Sequence, residues 1–152
     1  MEDFSVKVEI PKDDEGYSLM QCPNCGDLFK LTPSNIEDEG VLEIYCPSCG
    51  LAGENYITED VLELALKKVK NKMNFDIYEQ MKLMEQQHKN GFITFKAGNP
   101  PKQEYEEPLH SGVESLQITT YNCCHKTAKI KPLLIITGSY CPFCGVKNYE
   151  TE

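Results

Sequence analysis

The sequence contains no arginine, although it carries 15 basic residues, all of them lysine. Arginine supplies the planar, forked side chain that reads guanine and phosphate through paired hydrogen bonds. Its absence weighs against sequence-specific recognition of DNA. Long apolar runs are also missing, since the longest aliphatic run, residues 133–136, is far shorter than the ~20 residues that cross a bilayer. We therefore expect no transmembrane segment and no membrane partner.

Recognisable catalytic motifs are absent as well. No glycine-rich phosphate loop, Ser-His-Asp set or pair of catalytic carboxylates stands out. His88 and His110 are isolated in the sequence, and such histidines are more often surface or packing residues than bases. We therefore predict that the protein is not an enzyme and has no catalytic residues.

The acidic start Met1-Glu2-Asp3 has neither a basic region nor an apolar region after it, so we expect no secretory leader. The eight cysteines fall in short repeated motifs rather than in scattered positions. Both features favour the reducing cytoplasm, where thiols are kept free of disulfides. We expect the cysteines to be metal ligands.

The strongest motif is a Cys-Pro-x-Cys-Gly sequence at residues 22–26, which recurs at residues 46–50. Two sulfurs three residues apart reach one tetrahedral ion only if the chain between them turns tightly. The proline presets one dihedral angle, and the glycine accepts a positive φ while backbone N–H groups point at the thiolates. The spacing of the two motifs predicts a zinc site with four ligands: Cys22, Cys25, Cys46 and Cys49.

These residues resemble the zinc ribbon family. The resemblance implies two cysteine turns, or knuckles, that face each other at the end of a small antiparallel sheet, with the same four cysteines as ligands. It implies nothing about a partner, because ribbons serve transcription factors, ribosomal proteins, enzymes and adaptors alike.

A second metal site is predicted near the end of the chain, where residues 141–145 repeat the knuckle with Cys141 and Cys144. Its partner is irregular, since Cys123, Cys124 and His125 offer three donors in a row and a tetrahedral ion needs only two of them. Cys123 with His125 would keep both donors on one face of a strand, whereas adjacent cysteines require the backbone to turn. We favour Cys123 with Cys124, because the residues after them resemble those after Cys25. The prediction is two zinc ions per chain.

Hydrophobic periodicity predicts short strands and one long helix. Thr58 is a good N-cap, and Gly91 is a plausible end, with a candidate break at Asn71 and Asn74. The apolar stripe of the helix comprises Leu62, Leu66, Val69, Met73, Ile77, Met81, Met84 and His88. The predicted strands cover residues 4–10, 17–21, 28–31, 41–45, 55–57 and 92–96.

The predicted fold is α+β, with two small zinc ribbons of short antiparallel strands joined by one long helix. We divide the chain into a strand and ribbon at 1–57, the helix at 58–91, a strand with a Pro/Glu-rich linker at 92–115, and a second ribbon at 116–152. The two ends are related in pattern, since both run from strand to cysteine turn to strand to Cys-Pro-x-Cys-Gly.

Charge is unevenly distributed along the chain. The net charge is −9, yet residues 1–60 carry 14 acids against three lysines, whereas residues 117–149 carry four lysines and no acid. A basic region with interspersed aromatic rings is typical of single-stranded nucleic-acid binding. The candidate nucleic-acid contacts are Lys126, Lys129, Lys131 and Lys147.

Three functions compete. The leading hypothesis is a zinc-stabilised adaptor or recognition protein in a larger assembly, and the alternative is nucleic-acid binding by the basic C-terminal ribbon. A thiol redox or zinc sensor is the weakest, because paired motifs at ligand spacing indicate metal sites first. The helix stripe either packs on the chain's own modules or pairs with a second copy or another protein. In the second case the partner-binding residues are Met73, Ile77, Met81 and Met84.

Overall fold

A computed structural model describes residues 4–110, 112 and 115–149. The chain forms two compact units. The helix unit comprises Met1–Val8 and Asp60–Pro108, and the sheet unit comprises Glu9–Glu59 and Leu109–Glu152. The domain boundaries predicted from the sequence stay a prediction.

Within the described residues, the sheet unit contains six short strands and two short helices. The elements of its first part are β1 (Ser18–Gln21), β2 (Leu28–Leu31) and α1 (Pro33–Ile36). After the long helix α2 (Glu59–Gln87), the elements are β3 (Gln117–Thr120), β4 (Thr127–Ile130), α3 (Pro132–Thr137), β5 (Ser139–Tyr140) and β6 (Lys147–Asn148).

The strands of both parts join one four-stranded antiparallel sheet in the order β1-β2-β4-β3, and β5 pairs with β6 in a second small sheet. The central strands β2 and β4 meet at Lys30 and Lys129. The predicted α+β class is confirmed, with short antiparallel sheets, one long helix and two cysteine clusters that flank it in the sequence. The sequence did not indicate that the two ribbons share a sheet.

The two parts of the sheet unit repeat one plan, and we call them the first and second halves. Strand β1 at Ser18–Gln21 and strand β3 at Gln117–Thr120 lie 99 positions apart, as do β2 and β4. In each half the second strand leads into a short helix that starts with proline, a residue suited to the first helical position. The core between the halves holds fully buried side chains from both: Phe29, Leu31, Tyr121 and Ile130.

The helix unit is organised by α2, which runs without interruption through the candidate break. Asn71 is buried, and its side chain donates to the Glu104 carbonyl at 2.9 Å and accepts from the Glu104 N–H at 2.9 Å. An asparagine satisfied in this way does not disturb the helix, because its amide pairs with another segment instead of its own backbone. Among the described residues, no helix is long and apolar enough to cross a membrane.

Four predicted strands are wrong. Residues 41–45 and 55–57 form no strand, and Tyr45 makes only an isolated bridge with Ala52. Residues 4–10 do not form a strand, and two backbone carbonyls of that segment accept hydrogen bonds from lysines of α2: Lys72 donates to Ser5 and Lys68 donates to Lys7. Residues 92–96 form no strand either. Residues 4–10 and 92–96 have apolar residues typical of strands, but a strand requires a neighbouring edge, which these segments do not have in the described structure.

Candidate metal centres

The first cluster lies between two tight turns of the first half. The knuckle at residues 22–26 joins β1 to β2, and its Gly26 N–H donates to the Cys22 carbonyl at 3.0 Å. The knuckle at residues 46–50 lies inside the bridge between Tyr45 and Ala52, and its Gly50 N–H donates to the Cys46 carbonyl at 2.9 Å. Both glycines adopt a positive φ, as the motif predicts.

The sulfurs of this cluster have the separations that a tetrahedral ion requires. All four lie within 4.8 Å of one another, with 3.7 Å between Cys22 and Cys49 and 3.5 Å between Cys25 and Cys46. Four sulfurs bound at about 2.3 Å to one zinc ion lie about 3.8 Å apart, whereas a disulfide joins its sulfurs at about 2.05 Å. The cysteines are free thiols arranged for a metal.

Backbone amides prepare the first cluster for negative charge. The Asn24 N–H lies 3.4 Å from the Cys22 sulfur, and the Ser48 N–H lies 3.3 Å from the Cys46 sulfur. Burial raises the pKa of the Cys22 thiol, but the amides of Cys25 and Asn24 outweigh it and lower that pKa to about 7. Burial dominates at Cys46 and raises its pKa, so a cation is needed to hold all four sulfurs as thiolates.

The second cluster brings together Cys123, Cys124, Cys141 and Cys144, again within 4.8 Å of one another. The Cys124 and Cys141 sulfurs are 3.6 Å apart, and the side-chain amide of Asn148 lies 3.9 Å from the Cys123 sulfur. The structure therefore groups the two adjacent cysteines that we favoured, and the His125 ring is not among the clustered donors.

The turn at Cys123 and Cys124 explains how adjacent cysteines reach one site. The Tyr121 N–H donates to the Lys126 carbonyl at 3.0 Å, and the His125 N–H donates to the Tyr121 carbonyl at 2.8 Å. Cys22, Asp27 and Gly26 make the same bonds in the first half. Tyr121 therefore occupies the backbone position of Cys22, and Cys124 occupies that of Cys25.

His125 takes the place of the glycine that closes the other knuckles. Its φ is +59°, and Gly26 has a φ of +79° at the equivalent position. Histidine tolerates this conformation better than most residues with a side chain. The residue that offered a competing ligand thus has a backbone role, and Cys123 supplies the fourth sulfur from the position of Asn24.

Tyr121 is a site residue that the sequence analysis missed. Its side chain is fully buried, and its hydroxyl lies 2.9 Å from the Ser139 hydroxyl. Burial raises the pKa of the phenol, so it stays neutral beside the cysteines. The signal that could have found it is the match between residues 18–31 and 117–130, which aligns Tyr121 with Cys22.

Reciprocal contacts join the second knuckles of the two halves. The Tyr45 N–H donates to the Pro142 carbonyl at 2.8 Å, and the Tyr140 N–H donates to the Pro47 carbonyl at 2.9 Å. Each tyrosine ring also covers the glycine of the opposite knuckle. A Cβ at Gly50 would lie 2.8 Å from the Tyr140 ring, and a Cβ at Gly145 would lie 3.1 Å from the Tyr45 ring.

The candidate nucleic-acid lysines contact groups within the sheet unit. Lys126 lies 3.6 Å from Asp38, and Lys131 lies 2.7 Å from Asp27. Lys147 lies over the Tyr140 and Tyr149 rings. The acidic first half thus neutralises lysines of the second half, and the nucleic-acid prediction stays untested.

The fourth lysine, Lys129, belongs to a buried charge cluster that the sequence did not indicate. It lies 2.6 Å from Asp13 and 3.2 Å from Glu15, and its sheet neighbour Lys30 lies 3.2 Å from the same Asp13 oxygen. Burial raises the pKa of the Asp13 carboxyl, but hydrogen bonds from Lys129, the Tyr17 N–H and Lys30 outweigh it and hold that pKa well below its usual range. One carboxylate therefore separates two lysines at the centre of the sheet.

The predicted partner-binding residues lie on the helix unit. Met73, Ile77 and Met84 are each about half exposed, at 49%, 54% and 49%, and Met81 is partly buried. The residues of α2 that are buried are Val61, Leu64 and Asn71. At 100° per residue these lie nearly opposite the exposed ones, so the predicted stripe is not the face that the chain itself covers.

No protein-family model, curated protein or solved structure matches the chain. The geometry alone therefore identifies two four-cysteine groups that could hold metal ions.

Proposed function

We propose that this protein is a non-enzymatic, zinc-binding adaptor that acts in a larger protein assembly. Zinc fits both clusters because it prefers tetrahedral thiolate coordination. An ion held by four cysteines has no position left for water or substrate, so its role is structural. The sheet unit is then a metal-stabilised support rather than a reaction centre.

The observation that carries the adaptor role is the apolar face of α2. Leu62, Leu66, Met73 and Ile77 are 50%, 61%, 49% and 54% exposed, although they follow one another at helical spacing. Apolar faces of this kind mark interaction sites more often than scattered single residues do. Methionine suits such a face, because its unbranched thioether adapts to the shape of a partner.

Charge substitution on this face tests the role. Met73→Glu with Ile77→Glu should leave the zinc-loaded protein folded, with a change in stability below about 0.5 kcal/mol, because both positions are exposed. The same double variant should lose a partner that the wild type retains in moderate salt, since apolar contacts survive screening. Gln86→Glu adds a carboxylate to an exposed helix position away from the face and is the matched control.

A photo-reactive residue at position 73 makes the outcome specific. It should form crosslinks to one dominant protein, and the same group at position 86 should not. The role is contradicted if wild type captures nothing, or if Ile77→Glu alone lowers the melting temperature sharply, because the second result would make the face part of the core.

A further inference from the structure

A groove of about 580 Å³ opens on the first half of the sheet unit. Three of its lining residues are apolar, partly buried and packed against the core, and we call them the floor: Ile36, Val41 and Ile44. The core holds this floor in place, so the groove is preformed. Leu42 stands at its rim with 91% of its surface exposed.

The rim of the groove is acidic. Glu43 and Glu54 line it, and Glu37 and Glu39 lie in the loop that leads into it. Asp38 of this loop contacts Lys126, but the described residues contain no ion pair for Glu37, Glu39 or Glu54. An apolar floor with an uncompensated negative rim favours an occupant that has a large apolar side chain between basic residues.

The segment that lines this groove is longer than the corresponding segment of the second half. In the first half, residues 37–45 separate α1 from the second knuckle, whereas residues 138–140 separate α3 from the corresponding knuckle. The groove is therefore lined in part by residues that the shared plan does not contain.

The helix unit carries a segment with the matching chemistry. Phe92 is fully exposed and Ile93 is 77% exposed, and Lys89 and Lys96 flank them. The segment has the composition of a strand but forms none. The lysines of the second half contact acids or aromatic rings, whereas the described residues contain no ion pair for Lys89 or Lys96. These two lysines are therefore available to an acidic partner.

We propose that residues 89–96 of a second copy of this chain dock in the groove. Phe92 lies on the floor formed by Ile36, Val41 and Ile44, and the two flanking lysines face the acidic rim. Each copy carries both a groove and a segment, so a closed dimer makes the contact twice. One such contact is small, and the association is therefore weak and sensitive to salt. This surface is separate from the apolar face of α2.

Sedimentation velocity over a concentration series tests the proposal on the zinc-loaded full chain. The wild type should associate, and Glu43→Lys with Glu54→Lys should weaken association about tenfold or more. Lys89→Glu with Lys96→Glu should do the same, and a mixture of the two charge-reversed proteins should associate again. The control, Glu63→Lys with Glu79→Lys, reverses two exposed acids of α2 and should associate like wild type.

A labelled peptide of residues 88–97 provides a second measurement that does not depend on folding of the variants at the segment. Fluorescence anisotropy should detect its binding to wild type, weakened about tenfold by Phe92→Ala in the peptide or by the groove reversal. A wild type that stays monomeric overturns the proposal, and peptide binding without self-association assigns the groove to another protein. If self-association is lost in the double variant Met73→Glu with Ile77→Glu but not in the groove or segment variants, the groove proposal is also overturned. The adaptor role would not be contradicted by that result.

Discussion

The two halves of the sheet unit follow one backbone plan but supply their sulfurs differently. In the first half Cys22 and Cys25 occupy the usual positions of the knuckle, whereas in the second half Tyr121 stands where Cys22 would be and Cys123 supplies the sulfur from two positions further along. The hydrogen bonds of the turn are the same in both. The backbone of the turn is therefore the same in both halves, whereas the positions that supply the sulfur ligands differ.

The difference also changes which sulfurs meet solvent. Cys25 is the exposed cysteine of the first cluster, while Cys123 and Cys144 are both exposed in the second. Since access governs attack by chelators and oxidants, the second cluster should release its metal first. Four substitutions test how far the halves depend on each other and on their metals.

The largest effect is expected from Cys46→Ser. This sulfur is fully buried, and structural zinc in small domains supplies about 10 kcal/mol of folding free energy. Because β2 pairs with β4 and Pro47 pairs with Tyr140, loss of the first metal should loosen both halves. The number of zinc ions per chain, measured by native mass spectrometry, should fall below two. The near-ultraviolet circular dichroism signal of the shared core should be lost. If the variant keeps one ion and a native second half, the two halves fold independently and this prediction is wrong.

Asp13→Asn should have the next largest effect. It leaves Lys30 and Lys129 adjacent and buried with one shared counter-charge removed, which destabilises by about 3 kcal/mol at pH 7. The folded-state pKa of Asp13 lies below its value in the unfolded chain, about 3.9, so its contribution is complete above that pH and declines as the pH falls. The free energy of unfolding in urea should therefore differ less between wild type and variant below about pH 4 than at pH 7.

The exposed neighbour Asp14 provides the control for this experiment. Asp14→Asn should change stability by less than about 0.5 kcal/mol at any pH. An equal effect of the two substitutions would mean that general charge, and not the position between the lysines, matters.

Gly50→Ala should destabilise by about 3 kcal/mol, because the new Cβ meets the Tyr140 ring at 2.8 Å and the φ of +73° strains any side chain. Gly26→Ala has a similar φ of +79° but open space around it, and should lose only about 1 kcal/mol. Chemical unfolding of the two zinc-loaded variants compares them. Equal losses would show that the tyrosine ring gives way and that the contact between knuckles is loose.

His125→Gly should give the smallest effect and the opposite sign. Glycine relieves the strain at a φ of +59°, for a gain of up to about 1 kcal/mol. The metal content should stay at two ions per chain, measured by native mass spectrometry. Loss of an ion from this variant would identify His125 as a ligand.

Local features of this protein could be predicted from its sequence, and distant pairings could not. The knuckles are encoded within five residues, and α2 within its own periodicity. The pairing of Lys30 with Lys129 depends on residues 99 positions apart, for which a single sequence carries no local signal. Residues 92–96 show the opposite case: their composition is typical of a strand, but in the described structure they pair with no sheet edge and form no strand.

The ligands that complete the second cluster could be predicted only in part from the sequence. Three donors in a row left the choice open, and only the turn at Tyr121 decides which residue occupies which backbone position. Repetition of a strand followed by proline, at Leu31-Thr32-Pro33 and Ile130-Lys131-Pro132, was a usable signal of the internal repeat. If the two halves are aligned on this signal, Tyr121 falls at the position of Cys22 and Cys124 at that of Cys25. The alignment therefore predicts that the knuckle of the second half is irregular.

The interruption of one sheet by an entire helix unit bears on how the chain is made. On the ribosome, β1 and β2 emerge before β4, and the edge of β2 that receives β4 stays open until 99 more residues have been synthesised. Contacts of such long sequence separation form slowly, because a large loop must close before they contribute. Early metal capture by the first knuckles would hold the nascent hairpin in shape during that interval, so zinc supply during translation should limit the yield of folded protein.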